Sequence, residues 1–245
     1  MKTIFDYINH RSTAFTDKPL FRYLRDKKID SRQRLQFVPW TAHFVMTFAD
    51  LYHFFLTEPA PRDRYQELVN THLSEEGSHW KWFLADLRNL DLDPTLRFTD
   101  ALRVIWSDET IKTRTLAYEM CKLSAGMNSL QKLVMVLAIE ATGRVALEAA
   151  VPTGCEVEAT TGRRLVYFGG HHLDTEREHT VEARGVHLSL EETKLADPIR
   201  AELRFIVDQV FDRFGDFVDE AFHLAQGNRG LAESVQTISP ASGTV

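Results

Sequence analysis

The chain has 245 residues, a formal net charge of −6 and a hydrophobic fraction of 44%, enough apolar material for the core of one large domain. The acidic balance argues against a nucleic-acid binder, which would carry a basic patch. Cys121 and Cys155 form no CxxC pair, so neither a disulfide framework nor a thiolate metal site is indicated. The N-terminus lacks an apolar signal-peptide region, and no apolar run is long enough to span a membrane. The compartment expected is therefore the cytoplasm.

In chain order, residues 2–12 read as a short amphipathic helix with Ile4, Phe5 and Ile8 on one side, interrupted at Lys18-Pro19. Residues 31–56 begin at Ser31, a candidate N-cap. They place Trp40, Phe44, Phe48, Leu51 and Phe55 at near-helical spacing, with Pro39 kinking or restarting the helix. Pro59 and Pro61 close that element, and residues 62–89 predict the next helix. Residues 95–106 and 109–125 predict two more, with Ser107 and Asp108 as caps between them. Residues 128–150 form the most apolar helix. Residues 151–164, with Pro152, Gly154 and Gly162, read as a loop. Gly169-Gly170 opens a further helix, with Gly185 at its end. Ser189 and Glu192 form a capping box for a last helix over 190–226, stopped at Gly227. Residues 228–245 are Gly/Ser/Thr-rich and predict a flexible tail. No strand alternation is evident. The pattern predicts one all-α domain of seven or eight helices over residues 1–227.

The polar exceptions carry the chemistry. Residues 72–79 read His-Leu-Ser-Glu-Glu-Gly-Ser-His, and residues 172–179 read His-Leu-Asp-Thr-Glu-Arg-Glu-His. Both fit His-x3-Glu-x2-His: His72, Glu76 and His79, then His172, Glu176 and His179. On a helix these offsets share one face. Leu68 and Phe83 flank the first set along its line, which predicts that the polar three point inward. A third carboxylate, Glu140, interrupts the most apolar helix, where burial is costly unless it is paired or bound to a metal. Arg144 lies one turn later, placed either to pair with a substrate carboxylate or to form an ordinary ion pair. Nitrogen and oxygen donors without sulfur suit iron, manganese or zinc. Three carboxylates with three or four histidines can hold two ions, because carboxylates bridge. No GxGxxG, P-loop or GxSxG motif is present.

Glu76-x2-His79, a lone Glu140, then His172-x3-Glu176-x2-His179 resembles the pattern of the haem-oxygenase-like di-iron oxidases. In that family Asp usually stands where Glu176 stands here, and Asp174 is the nearby alternative. The resemblance implies a haem-oxygenase-like helical bundle and an O2-dependent oxidase or oxygenase with two Fe(II) ions. Its ligands would be Glu76, His79, Glu140, His172, Glu176 and His179, with Glu76 and Glu140 at the reacting centre. It implies a small amino-acid-like substrate of specialised metabolism. The narrower expectation is conversion of a tryptophan derivative to a nitrile. His72 stands where many members carry a further carboxylate, and is expected as a ligand or as a group orienting Glu76 or Glu140. The expected partner is a small molecule, without nucleic acid or membrane, and a homodimer is left open. The competing readings are a metal-free thiaminase-like hydrolase and a tetrapyrrole-binding protein of the same fold.

Overall fold

The most apolar stretch of the sequence becomes the axis of the molecule. The computed structural model describes residues 1–76, 79–179, 193–227 and 230–237, without the side chains of 73–76, 176–179 and 236–237. Its elements are α1 (Lys2–Phe15), α2 (Pro19–Arg25), α3 (Ser31–Arg34), α4 (Ala42–Leu51), α5 (Arg64–Glu76), α6 (His79–Asn89), α7 (Phe98–Ile105), α8 (Ile111–Ser124), α9 (Ser129–Thr161), α10 (Gly170–His179), α11 (Asp197–Gly227) and α12 (Leu231–Thr237). The all-α, single-domain expectation holds, and no strand occurs among the described residues. The helix number does not. Twelve helical segments are described, one of only four residues, so about eleven stand where seven or eight are expected.

Helix α9 packs against α1, α2, α3, α5, α10 and α11. A helix covered on all sides must be apolar all round, which explains the unbroken burial of Leu133 to Ile139. Its start is a capping box: Asn128 Oδ1 accepts the Gln131 N–H at 3.0 Å, and Gln131 Oε1 accepts the Asn128 N–H at 2.8 Å. The loop expected at 151–164 is instead two to three more turns of this helix. Pro152 lies inside it and has no N–H for the carbonyl of exposed Glu148, a group that solvent can serve. Gly162, at φ 70°, ends the helix in the left-handed region, and its N–H bonds back to the Glu158 carbonyl.

The aromatic segment after Ser31 is more broken than its spacing predicts. Asp30, not Ser31, is the N-cap of α3, accepting the N–H groups of Arg32 and Gln33. A 3-10 turn over Val38–Thr41 carries Pro39, and α4 follows. It ends in a π-turn, Tyr52–Leu56, closed by the Thr57 N–H to the Tyr52 carbonyl at 3.0 Å. Buried Arg34 ties these pieces to the axis. It donates to the Ile29 and Leu24 carbonyls and to Thr153 Oγ1, and pairs with Glu156 on α9.

The helix predicted over 62–89 is described as α5 and α6, on either side of residues 77–78. The last long helix begins at Asp197; the capping box at Ser189 and Glu192, like Gly185, lies outside the described residues. Within the expected flexible tail, α12 is helical, packs against α7 and buries Ser234. No helix among the described residues is long and apolar enough to cross a membrane.

Candidate metal centre

Four helices bring the predicted polar residues to one cavity of about 200 Å³. His72 comes from α5, His79 from the first turn of α6, Glu140 and Arg144 from α9, and His172 from α10, and all five line it. The rest of the lining is mainly apolar, including Phe44, Phe48, Tyr52, Phe168 and Phe217. The aromatic segment singled out by its spacing is thus one wall.

The four donors form two pairs. His72 Nδ1 lies 2.8 Å from Glu140 Oε1, at ion-pair distance though outside hydrogen-bond geometry. Glu140 is 16% exposed and His72 almost wholly buried, so the pair sits away from solvent at the edge of the cavity. The second pair is His79 and His172, whose ring centroids are 4.8 Å apart. Trp82 stacks on His79 at 4.3 Å and reaches His172 at 5.5 Å.

His172 has its tautomer set by its neighbour. Its Nδ1 lies 2.9 Å from the Tyr167 carbonyl oxygen. A carbonyl only accepts, so Nδ1 carries the proton, and a neutral ring then has its lone pair on Nε2. This is the arrangement in which a protein presents a histidine to a metal. The carbonyl is itself held. Asp86 of α6 is fully buried, and its two carboxylate oxygens accept the N–H groups of Val166 and Phe168, each at 2.8 Å. Burial pushes the Asp86 carboxyl above the usual aspartate range, and the amides of Phe168, Val166 and Tyr167 draw it part of the way back.

Glycine serves close packing here. A Cβ on Gly154 would stand 1.9 Å from the Phe168 carbonyl oxygen, and one on Gly169 would stand 2.1 Å from the Leu165 carbonyl oxygen. Glu158 on α9 accepts the Leu165 N–H at 2.6 Å. The segment entering α10 is thereby fixed to α6 and α9 at once.

Glu76 closes α5, and Glu176 and His179 lie in the last turns of α10; their side chains lie outside those described. Asp174, the alternative to Glu176, is exposed. The donor set matches a first-row metal in kind, with imidazole and carboxylate and no sulfur. Among the described residues no three such side chains converge as a metal-binding group. Asp86, Trp82 and Tyr167 belong to neither histidine motif. The available signal for Asp86 was its place seven residues after His79, on the same face of an otherwise well-packed helix.

No protein-family model and no curated protein matches the chain. Solved structures do. One is a domain of unknown function with a heme oxygenase-like fold from Shewanella denitrificans, at TM-score 0.55 and 16% identity over 98% of this chain and 95% of that one. Another is a TenA homolog from Pseudomonas syringae pv. tomato, at TM-score 0.55 and 14% identity over 90% of this chain and 91% of that one. At these identities the likeness is one of fold alone: the chain has a heme oxygenase-like fold.

Proposed function

We propose that the chain is an O2-dependent non-haem di-iron oxidase or oxygenase acting on a small amino-acid-like substrate. One observation carries this reading: three buried imidazoles and a carboxylate, from four helices, face one largely apolar cavity. Glu76, His79, Glu140, His172, Glu176 and His179 would hold the two irons, with His72 against Glu140. Two Fe(II) ions there would supply the electrons and open coordination positions for oxygen activation.

The chain's own residues do the rest. The Tyr167 carbonyl keeps the His172 lone pair on Nε2. The aromatic wall excludes water and takes an apolar substrate body. Arg144, half-buried one turn beyond Glu140 on the cavity lining, would pair with a substrate carboxylate and set the distance of the body from the metal end. A tryptophan derivative, with nitrile formation as its outcome, is the narrower form of this proposal. The test is anaerobic Fe(II) loading followed by exposure to oxygen. Two irons per chain and an oxygen-triggered absorbance change are expected; a chain that takes up no iron would end the reading.

The likeness to a TenA homolog supports a second reading, a metal-free thiaminase-like hydrolase. It would need a nucleophile, yet neither Cys121 nor Cys155 is among the cavity-lining residues. A tetrapyrrole-binding module would leave the paired carboxylate unexplained. The iron experiment separates the di-iron reading from both, and added haem, which only the tetrapyrrole-binding module would bind, separates those two.

A further inference from the structure

One stripe of α6 touches the approach to α10 at three successive points. His79, Phe83 and Asp86 lie at i, i+4 and i+7, on one helix face. His79 meets the His172 ring at 4.8 Å. Phe83 meets Tyr167 edge-on at 5.5 Å and Phe168 at 6.4 Å. Asp86 receives the amides on either side of Tyr167. The Phe168 N–H shares its peptide plane with the Tyr167 carbonyl, so its bond to Asp86 sets the direction of that carbonyl, and the Val166 N–H bond anchors the chain one residue before Tyr167. That carbonyl in turn fixes the His172 ring through Nδ1.

We infer that Asp86 is a positioning residue: from the base of α6 it aims the His172 imidazole and presets the His79–His172 pair before any ion arrives. The metal role of that pair rests on the proposed function; the aiming of the ring does not. The carboxylate suits this task because it offers an acceptor to each amide. Asparagine offers one oxygen, and its NH2 group would face the other N–H. A buried N–H left in that state drives the local backbone to rearrange. The carbonyl aimed at His172 lies between the two amides concerned.

The test is Asp86→Asn, read in two ways. In the metal-free protein, the His172 Nδ1 proton should exchange slowly with solvent in the wild type and markedly faster in the variant. With Co2+ as the probe, affinity should fall about tenfold or more, with helix content unchanged by circular dichroism. An Nδ1 proton equally slow in both proteins overturns the proposal. So does faster Val166 and Phe168 amide exchange with Co2+ affinity unchanged, which is the mark of a merely structural anchor. If the wild type binds no Co2+ while the Nδ1 proton responds to the variant, the positioning role stands and the di-iron reading falls. A variant that does not fold leaves a wild-type measurement to decide. The Val166 and Phe168 amides and the His172 Nδ1 proton should open to exchange together, as one cooperative unit. Independent opening overturns the proposal.

Discussion

Glu140 and His72 touch, so their substitutions should differ in a defined way. Glu140→Ala removes the proposed bridging carboxylate from the cavity. The helical protein should persist, with fewer than two irons bound and no oxygen-triggered absorbance; two irons and full turnover would remove Glu140 from the site. His72→Ala removes a group whose Nδ1 lies against that carboxylate. If His72 acts by orienting Glu140, both iron sites should still fill, with affinity reduced about tenfold. Loss of one iron outright would make it a direct ligand. Arg144→Lys keeps the charge and loses the planar fork. A raised KM with little change in melting temperature is expected, and unaltered kinetics would refute a substrate clamp. Asp86 gives a pH signature. Its folded pKa lies above its unfolded value because of burial, so the folded chain holds this proton more firmly. Its contribution is then fully present below the ordinary aspartate pKa of about 3.9. It declines as pH rises from there through the raised value. The advantage of the wild type over Asp86→Asn in urea midpoint should therefore shrink with rising pH across that window, and a constant difference would contradict it.

At the scale of elements, the glycines make the sharpest test. Gly154→Ala would push a methyl group into the Phe168 carbonyl, in the middle of a helix where alanine is otherwise preferred. Overpacking of this kind costs about 1–3 kcal/mol, or several degrees of melting temperature; a variant as stable as the wild type would show that the segment has room to move. Gly154 also shows where the sequence was opaque. Pro152 and Gly154 two residues apart are a turn signal by local chemistry, but the tertiary packing of α9 overrode it. The proline's missing bond falls at the surface, and the glycine admits a neighbouring backbone. Glu140 was legible because a charge in an apolar run is conspicuous on the line of the chain itself. Of the two histidine motifs picked out by spacing, His72, His79 and His172 reach one cavity, while the side chains of Glu76, Glu176 and His179 lie outside those described. Asp86 offered only its spacing from His79, because its partners are main-chain amides about eighty residues away. The helix count was underestimated because short helices escape a periodicity reading: α2 after Lys18, four-residue α3 and α12 in the tail are each too short to show a repeating apolar face, and the stretch read as one helix over 62–89 is described as α5 and α6.

For the whole molecule, the consequence of a site drawn from α5, α6, α9 and α10 is that a bound ion ties together segments far apart in sequence. Binding to the folded state alone raises its stability by about 2.7 kcal/mol at a hundred times the dissociation constant. For a chain of this size that is a rise of roughly 5–10 °C in melting temperature. Anaerobic Fe(II) should produce it in the wild type and much less of it in Glu140→Ala. Equal shifts in both would place the stabilising ion elsewhere.

The π-turn at Tyr52–Leu56 holds one more residue than an α-helical turn would. Tyr52 faces the cavity, 6.4 Å from the His72 ring, while Phe54 is 69% exposed. The extra residue is stored length. A chain one residue shorter between 53 and 55 could close this turn as an ordinary helix, at the cost of rotating Tyr52 by about 100° relative to the residues after the turn. A single-codon deletion here is thus a route by which sequence divergence could turn an aromatic side chain into or out of the cavity while Gln66 and Asn70 on α5 go on gripping the chain beyond it. Length variation among relatives at this turn would then track the shape of the molecule each one admits.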